Sequence, residues 1–173
     1  QSEAGLVTLG LGHDELARAA RDMPAATGFL IEEMAPPPAA EILVGLRRDP
    51  VYGRTLSLGM GGTAAELLGD VVTLVLPATG DEILAALLRL RLAPLLTGYR
   101  GSDAADIDAA IDAVQSLCGI LTANPDFDEI EINPLMLAPT GGGALAVDAV
   151  IWKTDTNQDR PRVKLAPNEE ASS

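Results

Sequence analysis

"DFDEIEINPLML", residues 126–137, is the stretch on which the fold turns. Strand side chains alternate, so Glu129, Glu131 and Asn133 share one face while Ile130 and Ile132 share the other. One face suits a core; the opposite face offers two carboxylates and an amide. A second apolar run, "ALAVDAVIW" (144–152), follows the turn signal "APTGGG" (138–143), and the two runs read as an antiparallel hairpin. Closed symmetrically between Thr140 and Gly141, the hairpin sets Asn133 opposite Asp148 and Glu131 opposite Val150. Directly opposed side chains share a face with Cβ atoms roughly 5 Å apart. An amide oxygen and carboxylates at that spacing are the hard donors Mg²⁺ takes, with water and phosphate filling its other positions. The plain alternative is a solvated acidic face. Two details weigh against it: Pro134 removes a backbone donor inside the strand, and Asp148 is an acid among apolar neighbours, where an unpaired charge is expensive to bury.

Outward from the hairpin, "DAADIDAAIDAVQSLCGILTA" is the clearest helix, with Ile107, Ala110, Ile111, Val114, Leu117 and Leu121 on one stripe. "DEILAALLRLRL" reads as a helix that stops before Pro94, and "LLTGYRG" as a loop. Further upstream, "EILVGLRRD" and "RTLSLGM" are strands joined by the turn "DPVYG". Then come "GMGG" (59–62), a short helix "TAAELLGD" and a strand "VVTLVLP". Before Pro36-Pro37-Pro38, a stiff connector, the pattern predicts a strand through Val7, Leu9 and Leu11, a helix over "HDELARAARDM" and a strand "GFLIEEM". The order is mixed α+β rather than doubly wound. It divides into residues 1–35, residues 36–153 and a polar tail, 154–173, expected to be disordered.

Composition narrows the function. The 173 residues are 47% hydrophobic, enough for a core, and the net charge is −13. That balance argues against nucleic acid and anionic membrane as partners, since both require a Lys/Arg footprint. The single Cys118 excludes an intramolecular disulfide and a Cys-rich zinc site. No basic-then-apolar leader is present and no apolar run reaches the roughly 18 residues a membrane helix needs, so a cytoplasmic setting is expected. Without an initiator Met, the chain reads as a fragment or a processed product.

"EIEINPLML…ALAVDAVI", "EILVGLRRDPVYG", "LGMGGTAAELLGDV" and "LLTGYRG", in this order and spacing, resemble the ATP-grasp part of NDP-forming acyl-CoA synthetases. The ADP-forming acetyl-CoA synthetase type is the nearer likeness, the succinyl-CoA synthetase β subunit a more distant one. The resemblance runs over about residues 1 to 153 and implies an ATP-grasp fold, mainly its C-terminal lobe (36–153), with residues 1–35 ending the N-terminal lobe and carrying the hinge strand. The implied reaction converts acid, CoA and ATP to acyl-CoA, ADP and phosphate through an acyl phosphate and a phosphohistidine. Mg²⁺ and ATP/ADP would bind here, CoA on other domains or subunits, in an oligomeric enzyme.

Residue by residue, the resemblance assigns Asn133 and Asp148 as metal ligands and Glu131 as a supporting acid near the phosphates. It places Glu33 and the backbone of Met34 at the nucleotide, and Glu41 at the ribose or holding the hinge. Glu32 and Glu33 otherwise read as a solvated strand end. Gly59, Gly61 and Gly62 would let backbone amides approach phosphate; a lone G-x-G-G is otherwise a tight turn. Arg100, between glycines, would contact phosphate or the transition state, or else form a surface ion pair.

The chain departs from the pattern in several places. The upstream lysine and the phosphohistidine are not in this sequence, Gln1 stands where the family has Lys, and His13 lies elsewhere, at a helix start. On that count the chain alone is expected not to turn over. Tyr52 and Arg54 replace the Phe and Pro of the family's F-G-P. Two rivals remain open: a non-catalytic ATP-grasp remnant serving assembly or regulation, and a citrate- or malate-type CoA ligase.

Overall fold

The computed structural model describes residues 6–23, 28–61, 69–91 and 93–154. Contacts divide the chain into two units, Gln1–Pro37 and Pro38–Ser173. In the first, a 3₁₀ turn, His13–Glu15, leads into helix α1, Leu16–Asp22. The predicted strands at residues 7–11 and 28–34 are not strands. Alternation alone does not make a strand; a ladder partner does, and among the described residues neither segment has one. Phe29, Leu30, Ile31 and Met34 are all exposed. The predicted helix over residues 63–70 lies mostly outside the described residues, as does the tail from residue 155.

The second unit is a sheet covered on one side. Strands β1 (Ala40–Asp49), β2 (Gly53–Met60), β3 (Val71–Val75), β4 (Phe127–Leu137) and β5 (Ala144–Ala146) lie in the order β3-β2-β1-β4-β5. Strand β6 (Ala149–Lys153) also pairs with β4, and every pairing is antiparallel. Asp49 closes the first hairpin by accepting the amides of Val51 and Tyr52, both at 2.8 Å.

Helices α2 (Gly80–Leu88), α3 (Ala93–Thr97) and α4 (Ile107–Ala123) complete the unit. Thr79 and Glu82 form a capping box that starts α2. α3 occupies part of the predicted loop; Pro94 sits in its first turn, where a missing amide costs nothing. The even-numbered residues of β1 and β2 (Ile42, Val44, Leu46, Leu56, Leu58) form one buried core with Ile83 and Leu87 of α2 and Ala110, Val114 and Leu121 of α4. The odd positions face the other way, opposite the helices of this unit that pack on the core. Among the described residues no helix is long and apolar enough to cross a membrane.

β4 changes phase in its middle. Ile130 and Ile132 are buried, then Leu135 and Leu137. The ladder with β1 shifts at the same place, between the Ile42–Leu135 and Val44–Ile132 pairs, so β4 holds one extra residue there: a bulge at Asn133-Pro134. The Asn133–Pro134 peptide is cis.

Leu58 has no exposed surface and lies at the centre of this core. Leu58→Ala is expected to destabilise by about 2–5 kcal/mol, read from the urea midpoint; a loss comparable to that of a surface substitution would show that the helices do not pack on this face.

Candidate functional site

The closing hairpin has the register the sequence predicts. Glu131 pairs with Val150 and Ile132 with Ala149 on one side of the bulge, Leu135 with Ala146 on the other. Between them the Asn133 amide donates to the Asp148 carbonyl at 3.1 Å, and that of Val147 to the Pro134 carbonyl at 3.3 Å. Asn133 and Asp148 therefore stand opposite each other on the open face. Glu131 and Glu129 lie beside them on the same row.

The electrostatics report the crowding. The Glu131 carboxyl is raised above its usual range, first because it is partly desolvated, then because the charges of Glu129 and Asp148 repel its ionised form. Three acids thus sense one another on one patch. Among the described residues no three His, Cys, Asp or Glu side chains converge as a metal cage. The donor set is instead one amide oxygen and one carboxylate with a second acid adjoining, hard oxygens that fit Mg²⁺, a cation that keeps water and phosphate in most of its positions.

Asp106 holds this hairpin in place, and the sequence reading missed it. It is 8% exposed, the one buried polar residue among those described. One carboxylate oxygen accepts the Ala109 amide at 3.1 Å, capping α4; the other accepts the Gly143 amide at 2.9 Å in the hairpin turn. These amide donors, Gly143 first, hold its carboxyl below the usual range. The Asp106 amide donates to Ala138, and Thr140 donates to Ala104. An acid just ahead of an apolar helical stripe is a cap signal, but nothing local marks its second bond.

Other expected residues fall differently. Glu41 and Gly59 lie on the open face, on β1 and β2. The Gly61 amide donates to the Glu41 carbonyl at 2.8 Å, so it is already committed and not offered to phosphate. A Cβ at Gly59 would come within 3.0 Å of the Asp70 carbonyl, and one at Gly61 within 3.0 Å of Ile42. Close strand approach is what demands these glycines. Gly62 lies outside the described residues. Arg100, at φ 51, sits in a turn between Gly98 and Gly101 with its guanidinium 5.3 Å from the Tyr99 ring. The structure does not bring it to the acids. Glu33 and Met34 belong to the first unit. His13 is fully exposed beside Asp14.

Comparison with known proteins gives the patch a context. Residues 1–152 match the ATP-grasp domain family. The chain is 32% identical to the β subunit of ADP-forming acetate–CoA ligase I of Pyrococcus furiosus over 160 residues, covering 86% of this chain and 68% of that subunit. It is 34% identical to a trans-feruloyl-CoA synthase of an unidentified prokaryote, over 87% of this chain but 23% of that protein. Among solved structures it resembles acetyl-coenzyme A synthetase 1 of Ca. Korarchaeum cryptofilum in complex with coenzyme A and Mg-AMPPCP (35% identity, TM-score 0.64), covering 69% of this chain and 55% of that one. The chain thus spans from under a quarter to about two thirds of these relatives.

Two outcomes follow. A raised carboxyl binds its proton in the folded state, so stability falls as pH rises from the ordinary Glu range through the raised pKa. Glu131→Gln is expected to raise the Tm at neutral pH without divalent cation, and the gain should vanish in acid; a gain independent of pH would mean the acids do not interact. Asp106 has the opposite sign: its lowered pKa contributes stability above the ordinary Asp range that is lost as pH falls through the folded value. Asp106→Asn should lower the Tm at neutral pH and flatten its acid limb; an unchanged acid limb would refute the clamp.

Proposed function

The chain belongs to the ATP-grasp family of ADP-forming acyl-CoA synthetases, and from that premise we propose that it is the Mg-nucleotide-binding part of an enzyme forming acyl-CoA, ADP and phosphate from an acid, CoA and ATP. The observation that carries this reading is the register that puts Asn133 opposite Asp148 beside a Glu131 already pressed by its neighbours' charge. A patch that disfavours its own ionised state gains most from a divalent cation.

Asn133 and Asp148 would hold Mg²⁺, with Glu131 beside it. When bound, the ion supplies charge neutralisation at the phosphates during phosphoryl transfer. The chain's own residues do the positioning. Asp148 offers its carboxylate from the break between β5 and β6, and Asn133 its amide from the bulge of β4. Glu131, in the row next to them, would add a further carboxylate beside the ion. Glu41 lies on the same face of the sheet, and by the family pattern Glu41, Glu33 and the Met34 backbone would contact nucleotide. Arg100 would contact phosphate from its turn between Gly98 and Gly101. CoA and the acyl acid bind on further domains or subunits, as the relatives' greater length allows, in a cytoplasmic oligomer. Mg-AMPPCP and coenzyme A, both present in the korarchaeal complex, support the ligand assignment.

The test is a titration of ADP with and without Mg²⁺. Asp148→Ala and Asn133→Ala should each lose at least about tenfold in Mg-dependent affinity, with the Tm kept. Unchanged affinity in Asp148→Ala would sink the metal assignment.

A further inference from the structure

A cavity lies away from the acids, on the helix side of the sheet. Its volume is about 1030 Å³, and its walls are the β1–β2 turn, residues 76–78 and one face of α4. That face is read directly from helical spacing: Gln115, Cys118, Gly119 and Thr122 recur at three- and four-residue intervals. The sheet side carries Arg48 and Arg54, which pair directly across β1 and β2. Like charges directly opposite each other are unfavourable, and this protein has only 12 bases against 25 acids. Two facing arginines in an acidic chain need a reason.

Arg48 has one. It donates to the carbonyls of Phe127 (2.7 Å), Leu121 and Asn124 (3.2 Å each), closing the C-terminus of α4, where a cation belongs. Arg54 has none among the described residues: its Nε is buried without a hydrogen-bond partner, a group that costs free energy unless something accepts from it. Among the described residues the one acid lining the cavity, Asp49, is already taken by the amides of Tyr52 and Val51, which hold its carboxyl below the usual range. Arg54 therefore brings an Nε without a hydrogen-bond partner to a cavity that Thr122 and Gln115 also line.

Two more features fit a ligand. Tyr52 at the rim is 69% exposed, a planar face open to stacking. Gly119 sits in mid-helix, where glycine is unfavourable, although a Cβ there would meet nothing within 4 Å. Packing does not ask for that glycine; keeping the cavity wall low does. Tyr52 in the turn and Arg54 at the start of β2 are also the two positions of this hairpin where the sequence departs from the family pattern.

We propose that this cavity binds a small phosphate-bearing ligand with a planar body, the phosphate held by Arg54 with Thr122 and Gln115, the planar part against Tyr52. The size is that of a small-molecule site. A groove for an acidic polypeptide would present a row of free cations, whereas here Arg48 is committed to the end of α4.

Cys118 is the chain's single cysteine and lines the cavity, so it reports occupancy. Burial raises its thiol pKa, making alkylation slow and sensitive to cover. The full chain is treated with N-ethylmaleimide in the absence of Mg²⁺, with AMP, adenosine or hexaglutamate as probe. AMP is expected to slow alkylation severalfold and adenosine to do so weakly. Arg54→Gln should abolish the AMP effect while keeping the unliganded rate, and Arg54→Lys should keep part of it. Asp148→Ala should leave protection intact, which separates this site from the Mg-nucleotide patch. No slowing by AMP, equal slowing by adenosine, or protection by hexaglutamate alone would each overturn the proposal. So would protection that survives Arg54→Gln or is lost in Asp148→Ala. If Arg54→Gln changes the unliganded rate, Arg54→Lys decides: full loss of protection there with the unliganded rate kept would refute a charge-based phosphate contact.

Discussion

One carboxylate fixes the geometry on which the acidic patch depends. Asp106 gives one oxygen to the start of α4 and the other to the turn of the closing hairpin. A hairpin rich in glycine at its turn is otherwise free to slip, and a slip of one residue would send Asp148 to the opposite face. By tying Gly143 to the helix layer, Asp106 couples the register of β4, β5 and β6 to the packing of α4. The helix in turn is held by Ala110, Val114 and Leu121 in the core.

The bulge does the complementary work. β1 keeps its even positions buried without a break, so β4 could match it throughout with a regular ladder. Instead β4 spends one extra residue at Asn133-Pro134. The consequence is that Ile130 and Ile132 on one side and Leu135 and Leu137 on the other all reach the core, while the intervening residues are released toward the open face. Bulges cluster where a side chain must be re-aimed. Here the residue re-aimed is the amide opposite Asp148.

The strongest features were legible because their signals are local. Alternation in β4 and a glycine turn were enough to place Asn133 against Asp148, and the stripe from Ile107 to Leu121 was enough for α4. The first unit was misread for the converse reason: Val7, Leu9 and Leu11 alternate as a strand does, but pairing is a tertiary event that alternation does not supply. Gly59 and Gly61 show a different limit. A glycine that lets a phosphate approach and a glycine that lets a neighbouring strand approach look the same in sequence, and only the distances to Asp70 and Ile42 tell them apart. Asp106 was one of several acids near the start of α4, and its bond to Gly143 crosses 37 positions of chain. Arg54 was visible as a departure from the family pattern, but its unpartnered Nε was not.

β4 is pinned at both ends by groups from outside the open face. Arg48 takes the carbonyl of Phe127 at its start, and the Asp106 amide takes the carbonyl of Ala138 just past its end. The acids between these anchors repel one another, and a free strand would relax by splaying or shifting. A strand clamped at both ends, and buried on its other face, lacks that freedom. The scaffold therefore meets the cost of bringing Glu129, Glu131 and Asp148 together in the folded chain, which would leave little reorganisation for the proposed cation. Arg48 and Arg54 differ although they face each other: one is consumed in holding the strand that carries the acids, and the Nε of the other has no hydrogen-bond partner among the described residues.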